Sequence, residues 1–272
     1  MHATAQDKAR VFREAYLGSV EQQPIAILDV GSAIVESQSL SNRDVMQNPL
    51  WSQHGLDIEA GLNVDTVIAD PYDWKEIATG SFDVVTCSEV FEHAEYFWIT
   101  ILEIARVLKG NGVAFITSPG GGPRHRFPVD CWRFYDDAFP ALARYAGMNL
   151  LEAQVQWVPA YRKGIQWRDS SAVMQKPLRE GEDARLDAAR AIIGKSLRSP
   201  VPAIGELDQI SRPVTALPTS VIPPLTGRNA FAAREAELLA SHSNIARKTR
   251  LVLRQLREIR RIIRTPMKDL HL

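Results

Sequence analysis

The sequence predicts an α/β fold, a mostly parallel β-sheet with helices on both faces. Two observations carry this. Ile25–Ser32 reads I-A-I-L-D-V-G-S, an apolar run closed by an acid and a glycine. A strand covered by helices on both sides needs no polar alternation, and open sheets of this class bind ligands at the carboxyl ends of their strands. Comparable runs then recur along the first 160 or so residues with helical stretches between them, the pattern of successive βαβ units.

The elements follow in order. Residues 5–17 have helical periodicity and predict an N-terminal helix, and strand one spans 25–30. Residues 33–52 are polar and irregular, broken by Asn48-Pro49. H-G-L-D-I-E predicts a short strand ending at Asp57, and V-D-T-V-I-A-D a third over 64–70, also ending on an acid. A fourth strand is predicted at 81–88 and a helix at 95–108, stopped by a Lys109-Gly110-Asn111-Gly112 turn. V-A-F-I-T-S makes a fifth strand running into the Pro119–Pro123 loop. A helix over 136–147 closed by Gly147, a late strand over 148–158 and a helix over 180–197 complete the pattern.

Three segments are expected: a main domain over 1–177, a helix and Pro-rich linker over 178–228, and a basic amphipathic C-terminal helix over 229–272. The whole chain carries no net charge, with 45% apolar and 24% charged residues, ordinary values for a packed globular protein. The charge is uneven, however. Residues 246–272 hold nine Lys/Arg against two Asp/Glu, which leaves 1–245 with 23 basic and 30 acidic residues. Cys87 and Cys131 are the only cysteines, too few for a disulfide framework or a thiolate metal site, so a reducing compartment is expected. Both are expected as small buried hydrophobes. The N-terminus has no apolar leader core and no run of about 18 apolar residues occurs, so the expected location is the cytoplasm.

The series L-D-V-G-S, G-L-D-I, I-A-D, F-D-V-V-T-C-S-E-V-F-E-H, E-I-A-R-V-L-K-G-N-G and V-A-F-I-T resembles, in order, the class I S-adenosylmethionine-dependent methyltransferases. The likeness spans roughly residues 22–158 and implies a Rossmann-like, seven-stranded, mostly parallel sheet with S-adenosylmethionine as cofactor. The block G-P-R-H-R-F-P-V-D-C-W-R-F-Y-D-D is also similar to a bacterial subgroup associated with polysaccharide or other cell-surface glycan synthesis. Together these imply methyl transfer to a hydroxyl of a saccharide or glycan intermediate. The alternatives are a small metabolite or lipid acceptor, or a non-catalytic cofactor-binding scaffold.

By resemblance, Asp29, Gly31 and Ser32 hold the amino-acid end of the cofactor, Gly31 allowing close approach of the main chain. Asp57, with Ile58 after it, ends the second strand where a carboxylate can accept from both ribose hydroxyls. Ala69 and Asp70 would lie against the adenine, and Ser88 and Glu89 beside the methyl group. The chain departs from the family in its glycine-rich turn, where D-V-G-S-A-I carries one glycine. The same shortage argues against a nicotinamide enzyme, which requires G-x-G-x-x-G there.

The bland readings compete residue by residue. Asp70 precedes a proline and could merely open a turn. Glu89 and Glu92 could be acids placed by a helix dipole, with Glu92 the more structural of the two. His93 is a candidate for the acceptor pocket or a solvated helix-start residue. His125 follows the Gly/Pro loop on the ligand-bearing edge. Methyl transfer to a hydroxyl gains from a base, and an imidazole with a pKa of about 6.5 suits it. Asp130 would orient His125 or bind a sugar hydroxyl; the competing picture is a surface loop in which Arg124 and Asp130 pair. Trp74, Phe97, Trp98, Trp132, Phe134 and Tyr135 are expected in the core, with sugar stacking as the alternative for Trp132 and Tyr135. No ligand spacing indicates a metal.

The basic C-terminal helix has three readings: a solvated face or coiled-coil partner that could make a homo-oligomer, a contact with anionic membrane at the inner face, and nucleic acid. Nucleic acid is the least favoured, because the basic run lacks interleaved aromatics.

Overall fold

The computed structural model describes residues 3–34, 41–156, 166–198 and 218–241. The expected Pro-rich stretch lies mostly outside the described residues, as does the basic segment from 242 onward. The elements are α1 (Ala3–Phe12), β1 (Ile25–Val30), α2 (Asn42–Val45), β2 (Trp51–Asp57), β3 (Thr66–Val67) and β4 (Phe82–Ser88), then α3 (Phe97–Val107), β5 (Leu108–Pro119), α4 (Ala138–Ala146), β6 (Asn149–Val155), β7 (Asp169–Gln175) and α5 (Glu182–Arg198). Seven strands form one sheet in the order β3-β2-β1-β4-β5-β7-β6. Pairings are parallel as far as β5, and β7 is antiparallel to both β5 and β6. This is the Rossmann-like class I methyltransferase fold.

Neighbouring residues of one strand serve opposite faces, as the pleat requires. Leu28, Val85, Ala114 and Met174 pack toward α3, α4 and α5, while Ile27, Val84, Phe115 and Val173 pack toward α1. On the second face Phe115 stacks on Phe12 with ring centroids 4.9 Å apart, and the tilted ring of Phe231 lies 6.2 Å from it. Burial on both faces explains why β1 and β4 read as unbroken apolar runs.

Three of the predicted elements differ from expectation, and α2 and β7 were not predicted at all. The third strand is only two residues long, because the chain turns at Asp70-Pro71 and Asp70 Oδ1 accepts from the Tyr72 amide at 2.9 Å. Residues 109–112 are not a free turn but a bulged entry into β5: the register jumps from Phe82↔Leu108 to Val84↔Val113. The bulge is held because Asn111 N donates to Lys176 O and Lys176 N to Gly112 O. The predicted N-terminal helix ends in a π-turn over Arg13–Leu17.

One compact unit covers Met1–Phe231 and a second Ala232–Leu272. In the first, Ser220 N donates to Gly110 O, and Glu152 accepts from the amides of Ala230 and Phe231, so the described end of the Pro-rich stretch is bound to the sheet. Residues 232–241 of the second unit are helical. Among the described residues no helix is long and apolar enough to cross a membrane.

Candidate functional site

The carboxyl ends of β1, β2, β4 and β5 lie side by side. Asp29 pairs across to Gly55 of β2 and to Thr86 of β4, and Ser88 pairs with Thr117 of β5. Asp29 is buried, and its Oδ1 accepts from Asn42 Nδ2 at 2.8 Å and Thr86 Oγ1 at 2.7 Å. Burial pushes its pKa up to about 6; the two donors and the Arg43 charge oppose the rise, and Asp57 adds to it.

Beyond β1 the chain turns at Gly31, whose φ is +72°. A Cβ there would meet Val90 Cγ2 at 2.3 Å, so the lone glycine of this turn is required twice, by conformation and by space. The amides of Gly31 and Ser32 both donate to Leu56 O, and Ser32 is buried. Asp57 closes the arrangement: Oδ2 accepts from the Ala33 amide at 2.9 Å and Oδ1 from the Ile58 amide at 2.7 Å. Oδ1 also accepts from the Glu59 amide at 3.4 Å, so the capacity left for a further donor lies chiefly on Oδ2, each carboxylate oxygen offering about two acceptor sites. The turns after β1 and β2 are therefore locked to each other through Asp57.

Ile58 is exposed on this rim, and so is Ala69, whose amide donates to Glu76 Oε1. At the end of β4, Ser88 is buried and exchanges hydrogen bonds with Asn42. Glu89 follows with φ +59°, a left-handed conformation uncommon for a side chain of its size; its amide donates to Thr117 O and its Oε1 accepts from Thr117 Oγ1. The helix begins only at Phe97, so neither Glu89 nor Glu92 is the helix-start acid that sequence suggested.

A second group lies beside it. Glu92 is buried; its Oε2 accepts from Ser118 Oγ at 2.8 Å, and its carbonyl accepts from the amides of Cys131 and Trp132. Those two bonds strap the loop after β5 onto the turn after β4 and bring His125 to His93, with ring centroids 4.8 Å apart. Asp130 accepts from the His125 amide at 2.7 Å and from both terminal nitrogens of Arg133, whose guanidinium holds its carboxyl well below the ordinary range. The alternative picture, an Arg124–Asp130 pair, is replaced by an Arg133–Asp130 pair. Trp167 packs edge-on against His125, and Gly122 makes room for it: a Cβ there would meet the indole at 2.3 Å.

The aromatic and cysteine expectations divide. Trp74 and Phe134 are in the core, but Trp132 and Tyr135 are exposed, Trp132 because its indole N–H is bonded to Ala94 O at the surface. Cys87 is buried, whereas Cys131 is exposed on the strapped loop, where its amide rather than its thiol makes the contact. The residue that sequence reasoning missed is Asn42, which joins Asp29 to Ser88. Its signal was the capping box formed by Ser41 and Asp44, a helix start inside a stretch without periodicity.

Residues 43–116 match a family model described as a methyltransferase domain. A curated relative, the ubiquinone biosynthesis O-methyltransferase of Photobacterium profundum, is 28% identical over 100 residues, 34% of this chain and 43% of that protein. The chain thus matches less than half of that relative's length. Among solved structures, the 1,6-didemethyltoxoflavin-N1-methyltransferase of Burkholderia thailandensis superposes with a TM-score of 0.49 at 15% identity, over 64% of this chain and 78% of that one. A SAM-dependent methyltransferase from Archaeoglobus fulgidus superposes with a TM-score of 0.43 at 12% identity, over 63% and 94%. The strand order is that of the class I methyltransferase fold, and the match over 43–116 is to a methyltransferase domain.

Proposed function

We propose that this protein transfers a methyl group from S-adenosylmethionine to a hydroxyl of a small molecule or glycan intermediate. The observation that carries the donor half is the Asp29–Gly31–Asp57 rim: two carboxylates at adjacent strand ends, joined through a turn whose left-handed glycine lies close against Val90. The donor set fits the cofactor. Asp29, a carboxylate beside the Gly31 turn, suits the ammonium of the amino-acid end, and Asp57, held still by the Ala33 and Ile58 amides, has acceptor capacity left on Oδ2 for a ribose hydroxyl. Ala69 and Asp70 flank the adenine, and Ser88 and Glu89 face the methyl end. When bound, the cofactor supplies an electrophilic methyl on a sulfonium; the chain supplies orientation, which accounts for much of such a displacement.

His125, His93 and Asp130 stand on the acceptor side. Asp130 fixes the backbone of His125 and faces its Nδ1, leaving Nε2 to take the proton of a hydroxyl. Oxygen is favoured as the acceptor atom because the curated relative is named an O-methyltransferase. The glycan reading draws on the likeness of residues 122–137. A cell extract incubated with the full chain and methyl-labelled donor tests this. Label in polar or lipid-linked saccharides supports the glycan reading, label in small metabolites moves the acceptor to that class, and no labelled product removes the enzyme reading in favour of a scaffold.

A further inference from the structure

Sequence spacing offers no metal site, yet folding gathers Glu92, His93 and His125 with one ligand atom each within 4.8 Å of one another. His93 Nε2 lies 3.4 Å and His125 Nε2 3.9 Å from the same oxygen, Glu92 Oε1. Both separations exceed a normal N–H···O bond, whose upper limit is about 3.2 Å. They match a coordinated ion better: with bonds of about 2.1 Å, tetrahedral ligand atoms stand about 3.4 Å apart. His125 stands about 0.5 Å beyond that spacing from Glu92, and the three ligand atoms, within 4.8 Å of one another, draw closer on binding an ion.

The outer contacts point the same way. His93 Nδ1 lies 2.5 Å from Val129 O, an atom that can only accept, so Nδ1 carries a proton and Nε2 is the nitrogen turned toward Glu92, the one that offers a lone pair in the neutral ring. His125 Nδ1 faces Asp130 Oδ2 at 3.5 Å, and Asp130 is itself clamped by Arg133. A carbonyl behind the imidazole with the other nitrogen turned inward is how metal-binding histidines are oriented, and His93 has that arrangement; for His125, Asp130 instead fixes the backbone amide at 2.7 Å. Glu92 is held in its turn by Ser118 and by the amides of Cys131 and Trp132.

We propose that Glu92, His93 and His125 bind a divalent first-row transition ion on the acceptor side of the cofactor rim. Two imidazoles and one carboxylate favour zinc, manganese, iron or cobalt over magnesium or calcium, and three protein ligands leave positions open for an acceptor's oxygen. This deepens the acceptor half of the methyl-transfer reading. The cation lowers the pKa of the acceptor hydroxyl, whose proton passes to solvent. The oxygen–methyl bond then forms as the methyl–sulfur bond breaks and the sulfonium leaves as a neutral thioether. In that form His125 acts as a ligand rather than as the base.

The test is calorimetric titration of the chelator-dialysed full chain with Zn²⁺, Mn²⁺ and Mg²⁺, alongside the visible spectrum of the Co²⁺-loaded protein. The expected result is uptake of about one Zn²⁺ or Mn²⁺ per chain, with Mg²⁺ much weaker and affinity falling at least about tenfold in Glu92→Gln and in His93→Asn. Circular dichroism and thermal unfolding of metal-free samples show whether each variant is folded, and the Co²⁺ ligand-field bands report ligation on the wild type alone. Absence of stoichiometric uptake, a Co²⁺ spectrum identical to the aquated ion, or uptake undiminished in both folded variants overturns the site. S-adenosylmethionine binding is measured on the same sample: metal failing while cofactor binds sinks the metal alone, and the reverse sinks the donor reading alone.

Discussion

Asn42 Nδ2 donates to Asp29 Oδ1 at 2.8 Å and lies 3.1 Å from Ser88 Oγ, so one amide joins the short helix α2 to the carboxyl ends of β1 and β4. The amide is buried. It explains how a rim assembled from three separate stretches keeps one geometry.

Asn42→Ala leaves the Asp29 carboxylate one donor short in a buried place. Unmet hydrogen bonds of that kind cost about 1–3 kcal/mol. Chemical denaturation is expected to show a loss of that size, together with weaker cofactor binding. A variant as stable as wild type would mean that the amide contributes nothing to holding Asp29.

The raised pKa of Asp29 makes a signed prediction. Its folded value of about 6 lies above the ordinary aspartate range, so the native state binds the proton more tightly than the unfolded state does. The stabilisation from this group is present below about pH 4 and is lost as pH rises through 6. The lost amount is at most about 3 kcal/mol. Asp29→Asn keeps an Oδ1 acceptor for Asn42 and Thr86 and removes the charge. Its melting temperature should exceed that of wild type at pH 7.5 by more than at pH 4.5, while cofactor affinity falls. A melting difference that does not change with pH contradicts this.

Gly31→Ala meets two penalties, the +72° φ and the Val90 methyl at 2.3 Å. The first costs about 1–2 kcal/mol. Adding Val90→Ala should relieve the steric part only, so the double variant should recover some stability and remain below wild type. Full recovery would show that conformation is immaterial here.

His125→Ala should cut turnover and leave S-adenosylmethionine affinity alone, because His125 sits with Glu92 and Asp130 rather than on the Asp29–Asp57 rim. Arg133→Met, which releases the clamp on Asp130, should lower turnover in the same direction but less. Unchanged turnover in His125→Ala removes that residue from the chemistry.

Much of the sheet was legible because its parallel strands are buried on both faces: the β1 run spans Ile25–Val30 as expected, and β2 ends at Asp57. Strand β7 was not. It opens D-S-S, and Asp169, Ser170 and Ser171 are buried polar residues, which an apolar pattern does not flag. The rim acids were visible as strand ends, whereas Asn42 lay in a segment with no periodicity. The His93–His125 contact was invisible for another reason. Sequence places both residues on one edge, but a helix and a strand separate them, and it is the amides of Cys131 and Trp132 on the Glu92 carbonyl, with His93 on Val129 O, that bring them together.

The most direct measurement is calorimetric titration of the full chain and of Asp57→Ala with S-adenosylmethionine, with thermal shift alongside. A saturable heat in the wild type that weakens at least about tenfold in the variant is the predicted result, since a ribose hydroxyl loses a charged acceptor. No heat and no thermal shift in the wild type at millimolar cofactor, or equal affinity in both proteins, would contradict the assignment of this rim to the methyl donor.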